Sequence, residues 1–270
     1  MSTQTLPSTT RVEDIYNFQH FQFPDERLQT VMLQPLTSLL ELEGLFSTPP
    51  FVMDEFNKEL RQEFSNEIAL LELILKANDL DSYKHSLRVK VLTNSFLKVL
   101  DLPQDHAMLI EAAAFLHDLG KIAIDATLLH KSTPLTVEEF EVIKKHPALG
   151  AMIISQFKAM QLVMPLIYYH HERWDGNGYP AGLRGEDIPS GARILAITDA
   201  YDAMTSQRPY QPLRTPAEAL AEIHANAGTQ FDPQLASKFC NSMESWHLQE
   251  IPSHIENGEV RQLSPCLGNR

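Results

Sequence analysis

An all-α bundle with a small helical N-terminal extension is the fold this sequence predicts, and three observations carry the prediction. Apolar residues recur at three- and four-residue spacing in segment after segment. Capping signatures mark where those segments begin. Eight or more such segments are joined by short connections, with one long irregular stretch, residues Glu172 to Pro189, of a size that in compact domains is often functional.

The elements follow in order. Residues 1–50 are mixed; they hold Phe18, Phe21 and Phe23, show no strand alternation, and stop at Pro49-Pro50. Short helices are expected there, packing on the main domain or on a second copy. From Asp54 to Lys76 the apolar positions Leu60, Phe64, Ile68, Leu71, Ile74 and Leu75 mark a helix. A second is expected over Asp81 to Leu100, capped by Asp81 or Ser82. A third spans Gln104 to Leu119, with Gly120 as the residue just past its end. Thr136-Val137-Glu138-Glu139 reads as a capping box. Pro147 to Phe157 and Leu162 to His171 read as two further helices, and Ser190 is a candidate cap for one running through Ala203. Thr215-Pro216-Ala217-Glu218 is a second capping box with Pro in the first helical position. Asp232-Pro233 opens a last helix, and the sequence after Trp246 has the composition of a loosely ordered tail. The expected organisation is a helical region over 1–62 for dimerisation or regulation, a main domain over 63–258 and a flexible tail over 259–270.

Composition narrows the function. The 270 residues carry 22 Lys and Arg against 35 Asp and Glu, a formal net charge of −13. General nucleic-acid binding needs a basic footprint and is excluded; an anionic substrate would need a local source of positive charge, such as a metal. Cys240 and Cys266 are the only two cysteines, so neither a disulfide framework nor a cysteine zinc site is expected. Met1 to Arg11 lacks the apolar core of a secretory signal, and no apolar run approaches the ~20 residues that span a bilayer. A soluble cytoplasmic protein with no membrane association is expected.

Histidine is where the chemistry gathers. His85, His117-Asp118, His146, His170-His171 and Asp199 are separated by gaps of 24 to 32 residues, about one helix plus a connection each. Successive helices of a bundle could therefore each bring a ligand to one pocket. Five imidazoles and two carboxylates form a donor set suited to non-haem iron, manganese or zinc; seven are too many for one tetrahedral ion and suit two ions sharing a carboxylate. Taken singly, His85 reads as a core or surface residue and His146 as a helix-end cation. Asp199, inside the apolar run Ile194 to Thr198, needs a partner if it is buried.

With their flanks these residues become specific. His117-Asp118-Leu119-Gly120-Lys121 is followed by His170-His171-Glu172-Arg173-Trp174-Asp175-Gly176-Asn177-Gly178-Tyr179-Pro180 and then by Asp199-Ala200-Tyr201-Asp202, leading to Arg208-Pro209-Tyr210. Over roughly residues 65 to 240 the chain resembles the HD-GYP family, a branch of the HD phosphohydrolase superfamily. The resemblance implies an HD-type helical bundle and a metal-dependent phosphodiesterase that opens cyclic di-GMP to pGpG and, in some members, to GMP. It implies a binuclear centre, iron or manganese, held by His85, His117, Asp118, His146, His170, His171 and Asp199, with Asp118 bridging. It makes Lys121 a catalytic and phosphate-contacting residue and places Tyr179 and Arg208 against the nucleotide. Asp202 is counted with them among the substrate-binding residues, toward the metals supporting a ligand rather than serving as one. Some members hold a third metal through Glu four residues before the first His; Asp81 stands there in this chain, as a shorter carboxylate or simply a helix cap. Many members carry a basic residue where this chain has Gln211, which bears on substrate choice among cyclic dinucleotides. Two alternatives follow: a cyclic-dinucleotide-sensing or GGDEF-protein-binding module with little turnover, or a phosphodiesterase for another cyclic dinucleotide. The region 1–62 is too short for a receiver-type input domain, so regulation by homodimer association is expected.

Overall fold

A computed structural model of the chain describes residues 50–206 and 213–247. The expectations for residues 1–49, for the tail, and for Arg208 and Gln211 lie outside the described residues. Ten α-helices are described: α1 (Pro50–Asn78), α2 (Leu80–Leu100), α3 (Gln104–Leu116), α4 (Ala126–Leu129), α5 (Val137–Ile143), α6 (His146–Ile154), α7 (Met164–Tyr168), α8 (Ser190–Thr205), α9 (Pro216–Ala225) and α10 (Pro233–His247). Three 3-10 turns, Leu119–Ala123, Lys158–Val163 and Gly185–Asp187, link them. Among the described residues there is no strand, only an isolated bridge between Ala227 and Phe231. The all-α prediction holds. The expected boundary at 62/63 falls inside α1, which runs through it unbroken.

The core forms where α2 packs on α3 and α8, and α10 closes over α2 and α8. Phe96, Phe115, Leu116, Tyr168, Tyr169, Ile197 and Phe239 are all buried there. Both capping boxes form: Thr136 accepts from the Glu139 amide and Thr215 from the Glu218 amide, each Glu reaching back in return. Asp232 caps α10, its Oδ1 accepting from the amides of Gln234 and Leu235.

Several expected boundaries move: the first helix extends to Pro50–Asn78, α6 ends at Ile154 rather than Phe157, and four more shifts follow. The cap of α2 is Asp79, which accepts from the Asp81 amide and the Ser82 hydroxyl, so Asp81 sits in the first turn instead. Ser190 does not cap α8; Pro189 precedes the helix, which continues to Thr205. The segment expected as one helix over 162–171 divides into a 3-10 turn and the short α7. Pro165 lacks the N–H that a continuous helix would need there, and Tyr169 leaves helical geometry before His170. Finally, α3 ends at Leu116, three residues early.

That early end exposes the true role of Gly120. It lies within the 3-10 turn, where the backbone presses on α6: a Cβ at position 120 would stand 2.0 Å from the His146 carbonyl oxygen and 2.5 Å from the Gly150 amide nitrogen. The requirement is space between two backbones, not a left-handed cap. This contact brings the His117-Asp118 turn against the start of α6, which carries His146. Because backbone cannot yield as a side chain can, Gly120→Ala is expected to destabilise by about 3 kcal/mol or more, with a smaller loss for Gly150→Ala, whose Cβ would meet Ile167 at 3.1 Å. Denaturant unfolding of the two variants beside the parent chain measures both.

Candidate metal centre

Three of the histidines stand where helices stop. His117 directly follows α3, His170 comes two residues after α7, and His146, the first residue of α6, comes three residues after the end of α5. A helix end leaves carbonyls without an intrahelical donor. Each histidine uses one of them: the Nδ1–H groups of His117, His146 and His170 donate to the carbonyls of Ala114, Ile143 and Ile167 at 2.8, 2.8 and 2.6 Å. This fixes the tautomer and leaves Nε2 as the atom facing the centre. His85 differs. It lies in the second turn of α2, where the preceding carbonyls are already engaged. Its Nδ1 instead donates to Asp202 Oδ2 of α8 at 2.7 Å.

The seven expected donors converge. His85, His117 and Asp199 form one group, and His146, His170 and His171 another, with the donor atoms of each group within 4.8 Å of one another. His85 Nε2 lies 3.1 Å from Asp199 Oδ1 and 3.3 Å from His117 Nε2; His146 Nε2 lies 3.3 Å from His170 Nε2. Asp118 stands between the groups. Its Oδ2 faces His85 at 3.6 Å and His117 at 3.4 Å, while its Oδ1 faces His146 at 3.4 Å. Its backbone, at φ −94° and ψ 4°, occupies the sparsely used bridge region common at active sites. Four buried imidazoles with Nδ1 committed elsewhere, those of His85, His117, His146 and His170, join the half-buried His171 around carboxylate oxygens in a donor set that fits metal cations.

The electrostatics divide the groups. Burial pushes His146 down to about 4 and His171 down to about 3, and it also lowers His170, so these imidazoles are neutral near pH 7. Burial opposes charge on His85 too, but hydrogen bonds to Asp199 and Asp202 outweigh it and raise His85 to about 9. Burial likewise works against the Asp118 carboxylate, yet Lys121 and His117 hold it well below the usual range. Lys121 Nζ donates to Asp118 Oδ2 at 2.6 Å.

The loop Glu172 to Pro189 covers one side. Tyr179 lies on His171, with centroids 4.8 Å apart, and its amide donates to the His171 carbonyl. Burial and the carboxylates of Asp118 and Asp199 push the Tyr179 phenol upward, keeping it a neutral donor. Glu172 is buried and its Oε1 accepts from the amides of Ala181 and Gly182 at 2.7 and 3.0 Å, tying the loop to the histidine pair. Gly178 is needed for proximity: a Cβ there would lie 2.4 Å from the Arg173 nitrogen. Gly176, at φ +80°, is the one of the pair that needs glycine's backbone freedom.

Two expected site residues, Asp202 and Asp81, lie outside both donor groups. Asp202 has its oxygens committed within the protein. It is 2% exposed, and its oxygens are taken by His85, by both Nε and Nη2 of Arg88, and by the Ser206 hydroxyl. Asp81 is exposed and belongs to neither group of donors. Sequence reasoning missed Arg88 and Glu172. Arg88 was findable, since it lies three residues after His85 on the same helix face, as Asp202 lies three after Asp199. Glu172 carried no signal beyond its place next to the histidine pair.

A family model described as HD domain matches residues 69–235. A cyclic di-GMP phosphodiesterase of Thermotoga maritima is 35% identical over 188 residues, covering 69% of this chain and 51% of the relative. A 3′3′-cGAMP-specific phosphodiesterase of Vibrio cholerae is 33% identical over 194 residues, covering 71% of this chain and 35% of the relative. The chain thus spans about half the length, or less, of these curated relatives. A solved HDG"Y"P protein from Bdellovibrio bacteriovorus aligns with a TM-score of 0.51 at 21% identity, over 86% of this chain and 76% of that one, a likeness of fold.

The split between the groups has a sign that can be measured. His85 lies above its ordinary value of 6.5, so in the metal-free protein its contribution to stability is full below pH 6.5 and lost as the pH rises through about 9. His146 and His171 lie below 6.5, so acidification from 6.5 toward about 4 favours the unfolded chain, which takes up protons the folded one refuses. A cation taking His85 Nε2 would compete with the proton that Asp199 and Asp202 help to hold on that ring. Calorimetry of Mn2+ addition at pH 7.5, in two buffers of different ionisation enthalpy, is expected to record release of about one proton per chain, absent in His85→Ala.

Proposed function

The chain belongs to the HD domain family, in its HD-GYP branch, and from that premise we propose that it is a metal-dependent phosphodiesterase that hydrolyses cyclic di-GMP to pGpG. The observation that supports this reading is Asp118, buried between two donor groups with one oxygen turned toward each. In this reading His85, His117 and Asp199 hold one cation, His146, His170 and His171 a second, and Asp118 is shared; iron or manganese is the expected metal. Two cations so placed would supply Lewis-acid charge to a phosphodiester and an acidified water as nucleophile.

The chain's own residues do the rest. Lys121, bonded to Asp118 and 28% exposed at its side chain, would meet the charge that grows on the phosphate oxygens. Tyr179, which lies on His171 with its phenol proton retained, would donate to a nucleotide bound there. Arg208 would supply a second phosphate contact. Asp81, exposed and apart from both groups, is left out of the centre, so two cations are proposed rather than three. No described helix is long and apolar enough to cross a membrane, and the reading carries with it a cytoplasmic location, a homodimer contact through residues 1–62, and GGDEF-domain partners at the loop Glu172 to Pro189.

One alternative has its own support. The similarity to a 3′3′-cGAMP-specific phosphodiesterase, together with Gln211 where many HD-GYP members have a basic residue, favours a preference for another cyclic dinucleotide over the same chemistry. Full-length protein loaded with Mn2+ or Fe2+ is expected to convert cyclic di-GMP to pGpG, and parallel turnover of 3′3′-cGAMP ranks the two substrates. Asp118→Asn is expected to lose both bound metal and activity. Lys121→Met is expected to keep its metal while kcat falls about 100-fold or more. Metal-loaded protein that binds a cyclic dinucleotide without consuming it would overturn the enzyme reading in favour of a sensing module.

A further inference from the structure

The histidines of the centre are oriented in two different ways. His117, His146 and His170 draw on helix-end carbonyls that their own chain segments provide. His85, inside α2, has no such carbonyl and depends on a carboxylate from another helix. That carboxylate, Asp202, is itself buried and could rotate or relax unless something fixed its plane. Arg88 fixes it: Nε donates to Oδ1 at 2.7 Å and Nη2 to Oδ2 at 3.0 Å, a two-point fork that matches the carboxylate plane. The Ser206 hydroxyl adds a third bond, to Oδ1 at 2.9 Å. Arg88 is one helical turn along from His85, so α2 supplies both the imidazole and the cation that steadies its partner on α8.

We propose that Arg88 is a positioning residue of the metal centre: acting through Asp202, it holds the His85 Nδ1–H so that Nε2 is presented to the cation shared with His117 and Asp199, and it thereby sets the affinity of that position and not of the His146, His170 and His171 position. This rests on the metal-centre reading above. The asymmetry is the distinctive content. A residue that merely stabilised the fold would affect both positions alike. Arg88 touches neither a donor atom nor the open side of the site; its influence passes through one carboxylate to one imidazole. Outer partners of metal-bound histidines commonly change affinity by ~10–100-fold.

The test isolates each position in the full-length chain. In a His171→Ala background the His85, His117 and Asp199 group remains complete; in an Asp199→Asn background the His146, His170 and His171 group does. Mn2+ affinity is read from the electron paramagnetic resonance of the free ion, with circular dichroism and melting recorded on the same samples. Arg88→Met is expected to weaken Mn2+ about tenfold or more in the first background and to leave it unchanged in the second. Arg88→Lys, which keeps the charge but not the fork, is expected to fall between, and it serves as the readout if Arg88→Met does not fold. Asp202→Asn is expected to reproduce the loss, and Arg88→Met added to it to contribute little more, as two links of one path should. Equal weakening in both backgrounds, or none in the first, would overturn the proposal. Failure of the unsubstituted chain to take up Mn2+ or Fe2+ would instead overturn the metal-centre reading beneath it.

Discussion

A carboxylate that has lost its water governs this structure. Asp118 is 4% exposed, and burying an unpaired carboxylate is among the most expensive things a fold can do. Its oxygens are therefore surrounded: Lys121 at hydrogen-bonding distance, and the imidazoles of His85, His117 and His146 within 3.6 Å. The local backbone serves the same end. Helix α3 stops two residues before Asp118, the 3-10 turn folds Lys121 back over it, and the backbone contact at Gly120 presses the turn onto α6 so that His146 arrives from the far side. Remove the carboxylate and little reason remains for so many donors to share so small a volume.

Helix ends are the device by which the bundle meets that constraint. A histidine just past a helix finds an orphan carbonyl for Nδ1 and can aim Nε2 away from the helix. Three of the five histidines use it, which explains why α5 and α7 are so short: each must stop where its histidine is needed. His85 comes from the side of a long helix, and the bundle supplies the missing acceptor from α8, whose Asp199 and Asp202 face it one turn apart. The centre is thus assembled from two geometries, helix ends for His117, His146 and His170 and helix faces for His85 and Asp199.

Much of this was legible in the sequence. The donors His85, His117, Asp118, His146, His170, His171 and Asp199 are marked by residue type and by gaps of helix length, and both capping boxes state their positions outright. What was not legible depended on neighbours distant in sequence. Asp79 and Asp81 are equally good caps on paper; only the observed helix start chooses between them. Gly120 after a helical stretch looks like a terminal glycine, and its real constraint, the backbone of His146 and Gly150, lies some thirty residues on. Asp202 resembles an available carboxylate until Arg88 and Ser206 are seen to occupy it. Local rules read termini well; they cannot see which surfaces will meet.

The charge balance shows how an acidic protein can handle an anion. Three carboxylates, Asp118, Asp199 and Asp202, are matched by Lys121, Arg88 and the protonated His85, a near-neutral cluster that a fold can tolerate in its interior. Two divalent cations entering this cluster would expel one proton from His85 and leave a local excess of positive charge, even though the whole chain carries −13. The attraction for a phosphodiester would then be switched on by metal loading rather than built into the surface, and it would be confined to the few ångströms around the centre. Lys121 and the cations that the donor groups would hold share one partner, Asp118, so the lysine charge and the Lewis-acid charge would face a phosphodiester from the same buried carboxylate.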